Sequence, residues 1–173
     1  FQFVLRDEKG RYLTMIPGAT SGGSLFWKSV NSFEFAGGST EMKELTLIPI
    51  VSGSDDDNLP PPKVETVDIG TYPVRMPVSE LGGFVLDSLE ITGEKAVATC
   101  HQEGAVQIMT PTLWLQDENG RNLDFAAYQD CNYNRETGEI TVTLYFRGVK
   151  AEDLARIKKI GYVNHSQRIN EDE

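Results

Sequence analysis

One nine-residue segment occurs twice, and it limits what this chain can fold into. Leu5 to Leu13 reads LRDEKGRYL and Leu115 to Leu123 reads LQDENGRNL, with six of nine positions identical. The shared frame, Leu-x-Asp-Glu-x-Gly-Arg-x-Leu, is an apolar strand end, an acidic turn closed by glycine, and an apolar strand start. A segment repeated in this way predicts two copies of one β-module. Convergence on a favourable hairpin turn is the competing explanation, because Asp, Asn and Gly recur in such turns for steric reasons.

The rest of the chain reads almost entirely as strand. Ile140, Val142, Leu144 and Phe146 alternate with Thr141, Thr143 and Tyr145, the period of a half-buried strand. Val85 to Ile91 and Lys95 to His101 flank Thr92-Gly93-Glu94 as a hairpin, and Val106 to Leu115 and Arg121 to Tyr128 flank the second acidic turn. Phe1 to Leu5, Tyr12 to Ile16, Leu25 to Phe35 and Glu44 to Ile50 supply strands upstream. Lys150 to Ile157 (KAEDLARI) has the composition of one or two helical turns before a last strand at Lys158 to Val163. The polar residues from Gln167 onward read as frayed.

Ser52 to Pro62, SGSDDDNLPPP, combines repelling aspartates with a polyproline-favouring run. It divides the chain into a first β-module (1–52), an acidic and proline-rich spacer (53–62) and a second module (63–173). In the second module the repeated turn follows several strands; in the first it comes almost at once. The first copy therefore reads as incomplete, lacking strands or borrowing them from a neighbour, and its edges invite pairing between chains. The expected fold is all-β: two immunoglobulin-like β-sandwich modules in tandem. The chain opens on Phe1 inside a strand, which reads as a piece of a longer protein or a processed one, with any export signal or anchor upstream.

Charge narrows the partners. A formal net charge of −10 opposes binding to nucleic-acid phosphates and to anionic membrane surfaces. Catalytic material is sparse, with two histidines and two cysteines. Cys100 and His101 are adjacent on a strand and point to opposite faces, which opposes Cys-His catalysis. No Cys-x-x-Cys or His-x-x-x-His spacing points to a metal site, no cofactor motif appears, and Asp55-Asp56-Asp57 lacks the spacing of a calcium loop. Asp7-Glu8 and Asp117-Glu118 sit on tight turns, where solvation opposes the raised pKa a general acid needs. Gly22-Gly23, Gly37-Gly38 and Gly82-Gly83 read as turns or junctions, and Asn164-His165-Ser166 fits a glycosylation acceptor. Cys100 and Cys131 are a candidate disulfide if the chain is outside the cell.

Aromatic residues carry the one binding signal. Trp27 and Trp114 are the candidate ligand platform. By alternation Leu113 and Leu115 face a core while Trp114 shares the outer face with Thr112 and Gln116. The opposing expectation is that Trp114 lies between two sheets.

The order VLDSLEI (85–91), Thr112-Leu113-Trp114-Leu115 with its Asp-Glu-Asn-Gly turn, EITVTLYF (139–146), Gly148 to Leu154 and Ile160-Gly161-Tyr162-Val163 resembles a known group. It is similar to the poorly characterised extracytoplasmic immunoglobulin-like domains of Gram-positive bacterial membrane-anchored, anti-sigma-like proteins. The resemblance covers most of the chain but rests on turns and strands, so it implies fold and compartment rather than catalytic residues. It implies a non-enzymatic sensory or interaction module at the cell surface, with a protein or cell-wall partner. The alternative is a carbohydrate-binding module that docks cell-wall glycans on exposed aromatics.

Overall fold

Ile140, Val142 and Leu144 alternate in burial as they do in polarity: they are wholly inside, with Thr141, Thr143 and Tyr145 half-buried between them. A strand behaves in this way when one face meets a core and the other meets water. The computed structural model describes residues 2–16, 21–25, 28–52, 59–93, 95–105, 111–123, 128–134, 136–137, 139–145 and 151–169. Among these the chain is all-β, with several antiparallel sheets and one short helical turn.

The upstream part carries β1 (Gln2–Asp7), β2 (Tyr12–Met15), β3 (Ser21–Leu25), β4 (Lys28–Ser32), β5 (Phe35–Ala36) and β6 (Leu45–Ser52). After the spacer come β7 (Lys63–Asp68), β8 (Val74–Ser79), β9 (Gly82–Thr92), β10 (Lys95–Gly104), β11 (Leu113–Asp117), β12 (Tyr128–Tyr133) and β13 (Ile140–Tyr145). The turn α1 (Ala151–Leu154) leads into β14 (Ile157–Asn164) and β15 (Gln167–Ile169).

A five-stranded sheet in the order β12-β13-β10-β9-β8 faces a three-stranded sheet in the order β11-β14-β7. Met76, Phe84, Leu86, Ala96, Ala98, Val142 and Leu144 from the larger sheet meet Leu113, Leu115, Ile160 and Tyr162 from the smaller, all nearly inaccessible. Two sheets sharing one apolar interior in this way form a β-sandwich. A second five-stranded sheet runs β15-β6-β1-β2-β5, and β3 with β4 forms a separate hairpin. Val4, Ile48 and Ile50 on one face of that second sheet are buried with Ala105, and Leu81, Tyr12 and Ile169 pack around them. Through this patch the upstream sheet rests on the end of the sandwich.

The sheets do not follow chain order. β7, which follows β6 across the spacer, pairs with β14 instead (Lys159↔Asp68 to Asn164↔Lys63). β15, which follows β14, pairs with β6 (Gln167↔Ser52, Ile169↔Ile50). The expectation of a frayed end from Gln167 is corrected, since Gln167 is buried and its strand joins the upstream sheet. The open edge of β6 explains this: its unpaired backbone groups take any strand within reach. Glycine doublets also behave differently from expectation. Gly22-Gly23 lies inside β3, and Gly82-Gly83 opens β9 rather than a junction. A side chain on Gly83 would run into the backbone of Met76 and Pro77, so close strand approach, not a turn, requires glycine there.

Candidate functional site

The two repeated turns fold alike. In the first, the Asp7 carboxylate accepts the backbone N–H groups of Lys9 and Arg11 at 2.9 and 2.8 Å, and the Gly10 N–H donates to the Asp7 carbonyl. In the second, Asp117 accepts from Asn119 and Arg121 at 2.9 and 3.0 Å, and the Gly120 N–H donates to the Asp117 carbonyl. Gly10 and Gly120 adopt φ of 81° and 76°, a left-handed conformation that closes the turn and favours glycine. One expectation is corrected: the aspartates are not solvated but buried, and only Glu8 and Glu118 point outward. The backbone N–H bonds, chiefly from Arg11 and Arg121, hold both carboxyls below the usual aspartate value of 3.8. They stay charged and serve as turn clasps. Their outer oxygens differ in partner. Asp7 takes its own turn's Arg11, whereas Asp117 takes Arg156 from beside α1, each at 3.2 Å.

The likeness continues into the strands. Asp7 lies opposite Leu45 and Leu5 opposite Leu47 on the β1–β6 pair. Asp117 lies opposite Ile157 and Leu115 opposite Ile160 on the β11–β14 pair, with a one-residue bulge between. Position for position, Leu45 and Leu47 correspond to Ile157 and Ile160. Their surroundings do not correspond. Ile157 and Ile160 are 9% and 0% exposed beneath the five-stranded sheet, while Leu45 and Leu47 are 51% and 55% exposed. Half-buried Leu5 and Phe3 lie on the same face, where Leu13 and Met15 of β2 are buried, and Phe33 stands edge-on to Phe3 with ring centroids 6.4 Å apart. Full burial of a leucine contributes about 1.5–3 kcal/mol, so each exposed one leaves on the order of 1 kcal/mol unrealised. The exposure is confined to the β6 side of the face, and grouped apolar side chains of this kind mark an interaction surface more often than an accident. It is the candidate site.

The residues singled out from sequence fall elsewhere. Trp114 is on the outer face of β11, as alternation predicts, with Leu113 and Leu115 buried in the core. Its indole lies over Gly161, its cross-strand partner, where a side chain on that glycine would occupy the same space. The ring thus fills a gap in the sheet, and Gln116 beside it is buried rather than exposed. Trp27 lies outside the described residues, as do Asp55 to Asp57. Cys100 and Cys131 are both free, which overturns the candidate disulfide. They sit on β10 and β12 with β13 between them; two strand spacings put their backbones about 10 Å apart, beyond disulfide reach. The Asn164 amide donates to Glu65, so the acceptor motif is engaged inside the fold.

His101 has a partner that the sequence did not reveal. A bulge between Thr99 and Cys100 turns Asp87 toward it, and Nδ1 lies 2.7 Å from the carboxylate. A histidine held by a carboxylate can activate a nucleophile. Cys100 cannot be that nucleophile, because burial, then Asp87 and Cys131, pushes its thiol up to about 12. The pair is itself open to solvent, with side chains 42% and 37% exposed. Two clefts, of about 280 Å³ beside Arg75 and Glu103 and about 420 Å³ beside Asp7 and Glu41, include neither Asp87 nor His101 in their lining. Among the described residues no group of three His, Cys, Asp or Glu is placed to hold a metal, and no helix is long and apolar enough to cross a membrane. The chain matches no protein-family model, no curated protein and no solved structure.

Proposed function

We propose that this chain is a non-enzymatic interaction segment of a bacterial surface protein, built from two tandem immunoglobulin-like modules and held outside the membrane. The exposed apolar face of Leu45 and Leu47 carries this reading, because the corresponding positions in the sandwich are core. The immunoglobulin-like assignment is supported by connectivity. Taking β9, β10, β12 and β13 as strands A, B, D and E, and β11 and β14 as C and F, the pairing follows the constant-domain pattern. β7 then fills the G position, with β8 an added edge strand. Upstream, β1, β6 and β15 correspond to C, F and G. Each module takes its G strand from the chain that follows the other module's F strand, which ties the two together. The extracytoplasmic assignment rests on the family resemblance.

In this reading affinity comes from burial of the apolar face against a polypeptide, with polar residues at the rim setting specificity. A photo-cross-linker at Leu47, with a control at exposed Glu118, tests it in the native host. The expected result is a polypeptide adduct at position 47 alone. The glycan reading retains the aromatic surface of half-exposed Trp114. Glycan binding that disappears in Trp114→Ala while the fold persists would favour it.

A further inference from the structure

We infer that the upstream sheet is a mechanical clamp: tension along the chain, applied before β1 and after β15, is held in shear on β6 and bypasses the sandwich. The inference goes beyond the interaction reading and does not depend on what covers Leu45 and Leu47. Register carries it. β6 lies between β1 and β15 and is antiparallel to both. The pairs run from Gln2↔Ile50 to Asp7↔Leu45 on one side and from Gln167↔Ser52 to Ile169↔Ile50 on the other. β1 and β15 therefore run parallel, with Gln2 and Ile169 flanking the same residue, Ile50.

Tension draws β1 back toward the Ser52 end of β6 and draws β15 forward toward the Leu45 end. The two strands are dragged in opposite directions along β6, at right angles to the hydrogen bonds of an antiparallel ladder. Under shear the bonds of a ladder must give together, whereas in peeling they give one at a time. Side chains reinforce the backbone pairing, since Val4, Ile48 and Ile50 are buried together with Ile169 packed on them, and Gln167 is buried as well. While the clamp holds, force passes from β1 through β6 to β15, and the strands from β7 to β14 lie outside its path. β15 is the weaker side, with three residue pairs to β6 against six for β1. Its release hands the tension to the corner before it, where the His165 N–H donates to the Val78 carbonyl of β8. Only then does force reach the sandwich.

Optical tweezers on the full chain test this through the direction of pull. One chain carries handles at Phe1 and Glu173; a second carries them at Glu173 and at Leu47→Cys, with Cys100 and Cys131 replaced by alanine in both. Pulling against position 47 peels β15 from its Ile169 end. At equal force the first extension step is expected to be roughly tenfold slower, or more, in the end-to-end pull, because forced unfolding follows the unfolding rate. Arg168→Pro with Ile169→Pro removes a backbone N–H facing β6, since alternate residues of an edge strand face its neighbour. That variant should lose the slow end-to-end step while β13 keeps its amide protection. Equal rates in the two directions, or a slow end-to-end step that survives both prolines, would overturn the inference. The comparison of directions decides the matter even where the proline variant fails to fold.

Discussion

Asp117 differs from its neighbour Glu118 by more than a methylene. Its carboxylate accepts two backbone N–H groups and Arg156, and it is buried, while Glu118 is exposed. An acceptor lost at such a point leaves buried donors unpaired. We therefore predict that Asp117→Asn lowers the thermal midpoint by several times the effect of Glu118→Gln, which differential scanning calorimetry would resolve. Acid has a related effect. Asp7 and Asp117 titrate below 3.8 and His165 below 6.5, the last through burial. A pKa depressed by folding contributes stability above the unfolded value and loses it as pH falls through the folded one. Stability should thus weaken first below 6.5 and again below 3.8. His165→Gln should flatten the first phase; equal slopes in wild type and variant would rule out His165 as its source. The turn itself was legible in sequence, since Asp and Gly have steric reasons to be there. The burial of the aspartate was not, because it depends on which strands close over the turn.

Equivalent strands with unequal cover give the sharpest contrast at the scale of elements. Ile160→Ala removes a side chain packed on all sides, and a cost of about 2–5 kcal/mol is expected. Leu47→Ala removes a half-exposed one and should cost well under 1 kcal/mol in the isolated chain, near the ~0.5 kcal/mol usual for surface positions. Urea unfolding of both variants checks the difference. The end of the chain offers a second test. Stopping after Asn164 deletes β15 and bares the edge of β6. Amide exchange should then quicken along β6 while β13, in the middle of the sandwich, keeps its protection. Unchanged exchange along β6 would mean that β15 contributes little. Alternation made β13 readable, because it has one apolar face, and the Thr92-Gly93-Glu94 turn marked the β9–β10 hairpin. β7 and β15 were missed for the opposite reason: KVETVD and QRI bury few apolar groups, and pairing rather than periodicity makes them strands.

On the scale of the whole molecule, sequence supplied the repeat and the all-β class but not the exchange of edge strands. Register and sheet membership depend on contacts between distant segments, which no local pattern encodes. The repeat also hid a difference. Leu45-x-Leu47 looks as core-like as Ile157 and Ile160, and only the fold shows that one pair is covered and the other open. Charge does not follow the same division: residues 1–52 are neutral, but the downstream acidity includes Asp55, Asp56 and Asp57 in the spacer after β6 and Glu171, Asp172 and Glu173 after β15. The most direct test places a single cysteine at each of the two equivalent positions, Leu47→Cys and Ile160→Cys, in chains whose Cys100 and Cys131 are replaced by alanine. Thiol labelling is then followed in dilute native solution. We predict rapid labelling at position 47 and none at position 160 until the chain unfolds. Equal labelling at the two sites, or protection at position 47 in the dilute chain, would contradict the existence of an open face.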